Sequence, residues 1–138
     1  MSERSTTGGC QCGYVRYAVH GDPVFTAICH CTMCRRASAA PAVAWGMFPE
    51  SAFKNLANDP AQYSSSAAAR RYFCPNCGTQ IAFRAEFIPG LVDITLGSLD
   101  DPDAIKPSLH YWYSKHLSWF KCEDELPKYA ELPPTGEN

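Results

Sequence analysis

"CPNCG", residues 74–78, lies between the strand-like runs "RRYF" (70–73) and "TQIAFRAE" (79–86). Two thiols separated by two residues and followed by glycine describe a tight turn that aims both sulfurs at one point. Pro75 stiffens the turn, and Gly78 tolerates positive φ. The turn's backbone amides can donate to thiolates. This is half of a tetrahedral zinc site. The other half decides which distant segment the hairpin is tied to.

Two groups of cysteines can supply it: Cys10 and Cys12 in "CQCG", and "CHCTMC" at 29–34. A strand through "CQCGYVRYAV" (10–19) places Cys10 and Cys12 on one face, with Val15, Tyr17 and Val19 of opposite parity and Gly13 as a candidate bulge. A CxC pair brings two sulfurs and needs two more. Joining it to Cys74 and Cys77 closes a four-thiolate site with no remainder, across the 61 residues from 13 to 73. Crosslinking distant segments is what a small domain gains from a structural metal. Alternatively, Cys10 and Cys12 are two buried small hydrophobes.

Cys29, Cys31 and Cys34 then remain together without an obvious fourth ligand. His30 sits between two of them and in an extended segment points away from their shared side. Cys122, in "SWFKCEDELP", reads as a partly buried free thiol. An open position is the mark of a catalytic zinc, whereas His110, His116 or Cys122 would complete a closed structural site. An iron–sulfur cluster fits the four-plus-three division less well. Zinc with three thiolates carries a formal charge of −1, so it is poorly suited to making hydroxide from water. It favours sulfur, and it can bind an incoming thiol and deprotonate it. The expected chemistry is addition of a thiol to an electrophile, or the reverse.

The remaining composition fits this reading. The chain has 138 residues, 46% apolar and 19% charged, with net charge −2. These values describe one globular domain, 1–138. The only adjacent basic pairs, Arg35–Arg36 and Arg70–Arg71, make no nucleic-acid face. "MSERSTTGG" lacks the apolar segment of a signal peptide, and no run reaches membrane-spanning length. The expectation is a reducing cytoplasm, where eight cysteines mean metal or catalysis rather than disulfides. Arg35 and Arg36 could offset the negative metal and hold substrate carboxylates, or form a solvated surface pair. Lys115, His116 and Trp119 in "YSKHLSW" could line a cleft; alternatively Trp119 is core and Lys115 snorkels to water. Asp100 and Asp101 shape the turn before Pro102.

Strand-like runs dominate. They are expected at Thr26–Cys31, Ala42–Phe48, in two segments within 71–86, at Leu91–Leu99 and at Leu109–Tyr113. Ile81, Phe83 and Ala85 share one face by parity, as do Val92, Ile94 and Leu96. One helical turn after Cys34 is stopped by Pro41. Residues 64–69 read as a low-complexity loop and 131–138 as a disordered tail. There is no internal repeat or linker, and the class is β-rich.

Taken in order, "GGCQCGYVRY", "CHCTMCRRAS", "YFCPNCGTQIAF", "GSLDDP" and "HYWYSKHLSWFKCEDELPKY" resemble the glutathione-dependent formaldehyde-activating enzyme family, which includes the centromere protein V-like domain. The resemblance runs from about Gly8 to Tyr129. It implies a mainly β, Mss4-like fold with short helical turns. It implies two zinc ions: a structural one at Cys10, Cys12, Cys74 and Cys77, and a catalytic one at Cys29, Cys31 and Cys34. It implies the condensation of glutathione with formaldehyde to S-hydroxymethylglutathione, a carbon–sulfur lyase class. The chain departs mildly from similar sequences at Ala39 and Ala40, where a glycine is frequent. A reading of another class is a non-catalytic, zinc-stapled module that docks a protein.

Overall fold

The computed structural model describes residues 4–134. Among them ten strands form two sheets, and α1 (Thr32–Ser38) is the one α-helix. The small sheet is antiparallel, in the order β1 (Ser5–Gly9), β2 (Arg16–His20), β5 (Phe53–Ala57). The large sheet runs β10 (His110–Tyr111), β3 (Phe25–Cys29), β4 (Val43–Pro49), β9 (Leu91–Thr95), β8 (Gln80–Ala85), β7 (Ala69–Phe73), β6 (Ala61–Ser66). Only the β10–β3 pair is parallel. The mainly β class expected from the strand-like runs is the one observed.

The core lies between the two sheets. Tyr17 and Val19 of β2, both fully buried, pack with Phe48, Val92 and Ile94 of the large sheet. Burying each such side chain is worth about 1.5–3 kcal/mol. Tyr17 keeps its hydroxyl satisfied 2.6 Å from Ser98 Oγ. Val92, Ile94 and Leu96 share this core, as their parity predicts. That leaves the intervening residues of β9, Leu91 and Asp93, for the opposite face.

Several expectations are revised. Residues 5–9, in the polar N-terminal stretch for which no element is expected, form β1, because pairing with β2 buries Thr6 and Gly8 on alternate positions. Cys10 to Val15 is a turn rather than a strand: Gly13 N donates to Cys10 O at 3.2 Å, with Gly13 at φ 85°. Residues 64–69 are not a loop but the tip of the β6–β7 hairpin. A serine-rich run serves there because β6 is an edge strand, exposed at most positions, with no apolar face to fill.

Ile81 and Phe83 do not share a face. A register shift between β7 and β8 leaves Ile81 as an extra residue, so Ile81 enters the core while Phe83 turns to the other side. The helix after Cys34 begins earlier than expected, with Cys31 as its N-cap, and ends not at Pro41 but at Ala39, in the left-handed region at φ 51°, ψ 42°. Asp101 shapes its turn as expected, accepting from Asp103 N at 3.1 Å. Asp100 does more, and binds Arg16 and Thr7 of the small sheet.

Residues 131–134, assigned to a disordered tail, run back past β10, where Trp112 N donates to Glu131 O at 2.9 Å. The rest of that tail, 135–138, lies outside the described residues. No helix among the described residues is long and apolar enough to cross a membrane.

Candidate metal centres and the adjoining cavity

Cys10, Cys12, Cys74 and Cys77 bring their four sulfurs within 4.8 Å of one another. Cys10 and Cys12 come from the β1–β2 turn, and Cys74 and Cys77 from the β7–β8 turn, so the group joins the small sheet to the large one. Cys10 Sγ is 3.6 Å from Cys12 Sγ, which is 3.8 Å from Cys74 Sγ. A tetrahedral ion with metal–sulfur bonds of about 2.3 Å separates its sulfurs by about 3.8 Å, so the set fits zinc. Backbone amides prepare the thiolates. Val15 N donates to Cys10 Sγ at 3.2 Å, and Asn76 N and Cys77 N to Cys74 Sγ at 3.3 and 3.4 Å. Hydrogen bonds from Thr79, side chain first and then backbone, draw the Cys77 thiol down to about 5. All eight cysteines are unpaired thiols.

Cys29, Cys31 and Cys34 form a second group, also within 4.8 Å. Cys29 ends β3; Cys31 caps α1 and accepts from Cys34 N at 3.3 Å; Cys34 is the helix residue turned inward. Hydrogen bonding to Cys29 and then Cys34 pulls Cys31 down to about 2, while Cys29, bonded to Cys31 and Cys34, is pushed far up. Cys34 is raised as well, a lowering hydrogen bond from Cys29 being outweighed by Cys31 and burial, so the three thiols by themselves hold a single negative charge, on Cys31. Among the described residues, no His, Asp, Glu or further Cys puts a ligand atom within that distance of all three sulfurs. The set fits a soft cation with a vacant coordination position.

The three residues considered as closing ligands sit elsewhere. His30 faces away from its flanking cysteines, as its parity predicts. Its Nε2 is 2.8 Å from His110 Nδ1, and His110 Nε2 is 2.7 Å from Asp124 Oδ2. Cys122 is grouped with His30 and His110 rather than with the cysteines. His116 Nδ1 is 2.7 Å from Tyr113 O.

The second thiol group opens on a cavity of about 860 Å³. Its floor is one row of the large sheet. Phe25 of β3 pairs with Met47 of β4, Met47 with Asp93 of β9, Asp93 with Phe83 of β8, and Phe83 with Arg71 of β7. All five line the cavity. Tyr111, Trp112, Leu132 and Pro133 close it from the β10 side, and Met33 and Phe87 rim it, both well exposed. Trp112 holds a left-handed backbone, φ 53°, ψ 33°, a strained conformation for a bulky residue. That bend carries the chain from β10 to Lys115, which also lines the cavity.

Arg71, Asp93 and Tyr111 also stand in these walls, and sequence reasoning gave none of them a role in the site. Arg71 is 6% exposed, with Nη2 3.7 Å from Cys34 Sγ and its guanidinium 4.8 Å from the Phe83 ring centre. Asp93 is equally buried, and burial, partly offset by Arg71, pushes it up to about 7. Tyr111 is driven well above the usual phenol range by burial and then by Cys29 and Asp93. Arg35 and Arg36 do not line the cavity; neither do His116 and Trp119. Trp119 is not core either, being 72% exposed. Alternation in "ARRYF" hints that Arg71 is inward, but only the cross-strand register reveals what it faces.

Comparison with known proteins agrees with this architecture. A crystal structure of a Rhodobacter sphaeroides protein shares the fold at a TM-score of 0.59 and 19% identity, over 73% of this chain and 91% of that one. A Schizosaccharomyces pombe protein named as an uncharacterised lyase is 30% identical over 76 residues, 55% of each chain. The chain thus spans about half the length of that curated relative. A family model described as glutathione-dependent formaldehyde-activating enzyme matches residues 5–115, which include both thiol groups and most of the cavity floor and wall. With its two cysteine groups and its strand order inside that match, the chain belongs to the glutathione-dependent formaldehyde-activating enzyme family.

Proposed function

We propose that this chain is a zinc-dependent carbon–sulfur lyase that joins or splits a small thiol and an aldehyde, glutathione and formaldehyde being the pair for which the family is named. In this reading residues 1–138 are one zinc-binding domain. Cys10, Cys12, Cys74 and Cys77 hold a structural zinc, and Cys29, Cys31 and Cys34 a catalytic one. The protein works in a reducing cytoplasm, where its thiols stay available to metal.

The observation that carries the reading is the second thiol group: three sulfurs at one end of an apolar cavity, without a fourth protein donor among the described residues. A zinc ion bound there would supply a soft electrophilic centre at which a thiol gives up its proton. The chain does the rest. Arg71 offsets the negative charge of the sulfurs from within hydrogen-bond range of Cys34. The aromatic and aliphatic walls lower the local dielectric, which strengthens charge interactions at the buried end of the cavity. Lys115, exposed among the lining residues, can pair with a substrate carboxylate or steady the oxygen that becomes negative as the carbonyl is attacked.

The test is formation of the thiol–aldehyde adduct, followed by proton NMR exchange at neutral pH, with metal-loaded protein and its Cys34→Ser variant. Acceleration by the wild type and its loss in a folded variant retaining one metal support the reading. No acceleration with glutathione or other small thiols, in protein carrying metal at both groups, overturns it and leaves a zinc-stapled binding module.

A further inference from the structure

Asp93 is the single carboxyl among the residues that line the cavity. Its strand neighbours in the cavity row are Met47 on one side and Phe83 on the other. The phenyl ring offers the carboxyl no hydrogen bond, and the thioether is at most a weak acceptor. Strands stand about 4.8 Å apart, so Arg71, two strands away, is roughly 10 Å along the sheet. The Asp93 side chain has no hydrogen-bond or ion-pair partner among the described residues, although the residue is 6% exposed. A buried carboxyl left unpaired costs folding free energy, and a leucine or valine would fill a position between methionine and phenylalanine without that cost. What exposure remains is toward the cavity that holds the second thiol group.

We propose that Asp93 is the proton carrier of the thiol–aldehyde reaction: it takes the proton from the entering thiol and returns it to the oxygen of the adduct. The proposal rests on the reading of the site given above. In the addition R–SH + R′–CHO, the S–H bond breaks and its proton passes to the Asp93 carboxylate. The sulfur electron pair forms the C–S bond, and the carbonyl π pair moves to oxygen. Asp93 then protonates that oxygen to give R–S–CH(OH)–R′ and is itself restored. Splitting the adduct runs the same steps backwards. No oxidant, reductant or further reactant enters.

The environment suits this work. Burial brings the carboxyl to about 7, where a group both accepts and releases a proton with least loss. The charged and titratable groups around it are Arg71 from β7, Tyr111 from β10, the cysteines of β3 and α1, and Lys115 across the cavity. The elements directly paired with β9 present only Met47 and Phe83. Arg71 keeps the carboxyl from rising further, and Tyr111, across the cavity on β10 and far above its usual range, stays a neutral phenol.

The experiment compares wild type with Asp93→Asn and Asp93→Glu, at saturating thiol, across a pH range centred on 7. Addition by the wild type should rise with pH to a plateau with its midpoint near neutrality, and splitting should rise over the same range, since both directions begin from the Asp93 carboxylate. Asp93→Asn should lose roughly 10²–10⁴ in rate together with that pH limb. It should keep its metal and, when cobalt replaces zinc, show the same thiolate-to-cobalt absorption change on glutathione addition as wild type. Asp93→Glu should restore part of the rate and the limb. Wild-type rate and profile in metal-loaded Asp93→Asn overturn the proposal while leaving the thiol–aldehyde reading intact; an inactive wild type sinks that reading instead. Should Asp93→Asn not fold, infrared titration of the wild type decides. A carboxyl C=O band vanishing near neutral pH supports the assignment, and its absence there overturns it.

Discussion

Arg71 Nη2 lies 3.7 Å from Cys34 Sγ, in a wall otherwise built from sulfur, aromatic and aliphatic groups. The guanidinium has no carboxylate partner within ion-pair distance among the described residues; it rests on the Phe83 ring and faces the thiol group. It is therefore the resident countercharge of the second cysteine group. Sequence reasoning gave that role to Arg35 and Arg36, which follow Cys34 directly. One and two steps along a helix turn the side chain by about 100° and 200°, away from the face that Cys34 presents.

Arg71→Met should therefore weaken metal binding at Cys29, Cys31 and Cys34 without touching the other group. Hydrogen bonds to charged partners contribute about 1.5–3 kcal/mol, or roughly tenfold to a hundredfold in affinity. Chelator competition should show one site weakened by that factor and one unchanged. Arg71→Lys should recover only part of the loss, because lysine keeps the charge but not the flat stacking on Phe83. Equal affinity in wild type and Arg71→Met would show that the guanidinium is only a packing element.

The two cysteine groups should fail differently. Cys74 is 1% exposed and belongs to the core cluster that links the two sheets. Cys74→Ser should lose one metal and the cooperative fold together, since closing a site across distant segments couples metal binding to folding. Cys31→Ser should lose one metal and keep the fold, because β3 and α1 are adjacent in sequence and held by β4 without it. Metal analysis and a thermal scan on both variants check this. An unfolded Cys31→Ser protein would mean that both groups are structural.

The difference in legibility between these groups and their surroundings is physical. CxC, CxCxxC and CxxC are local patterns, so their sulfurs converge whatever the rest of the chain does. Asp93, Phe83 and Arg71 form one row only because β9, β8 and β7 pair in a particular register. A single bulged residue, Ile81, inverts the parity from which Phe83 was assigned to the core face. No alternation pattern announces such a shift. Likewise "SSSAAA" carries no apolar stripe, and it is a hairpin only because an edge strand needs none.

Ala39 offers a stabilising substitution. It closes α1 at φ 51°, ψ 42°, with its N–H on Arg35 O, the left-handed cap that glycine occupies without a Cβ clash. An L-residue there costs about 1–2 kcal/mol, offset in part by the greater chain entropy that glycine loses on folding. Ala39→Gly should therefore stabilise the protein by up to about 1 kcal/mol, read as a higher urea midpoint at unchanged slope. A lower midpoint would show that the cap is held by its surroundings without strain.

Asp100 should give the protein a measurable acid sensitivity. Arg16 reaches Asp100 Oδ1 at 2.9 Å and Oδ2 at 2.5 Å, and Thr7 Oγ1 donates to Oδ2 at 2.7 Å, so this carboxylate ties β1 and β2 to the segment after β9. Arg16 first, then Thr7, hold it down to about 2. In the unfolded chain an aspartate titrates near 3.9. A carboxyl whose folded value lies below its unfolded one adds stability above the unfolded value. That stability fades as pH falls through the folded value, here from about 4 to about 2. The side chains are 35% and 48% exposed, so solvent screens the pair and its contribution stays within about 1 kcal/mol. Asp100→Asn should accordingly be less stable than wild type at pH 6, and the gap between their urea midpoints should close as pH is lowered through that window. A gap that stays constant down to about pH 2 would assign the loss to Thr7 and backbone geometry rather than to the charge on Asp100.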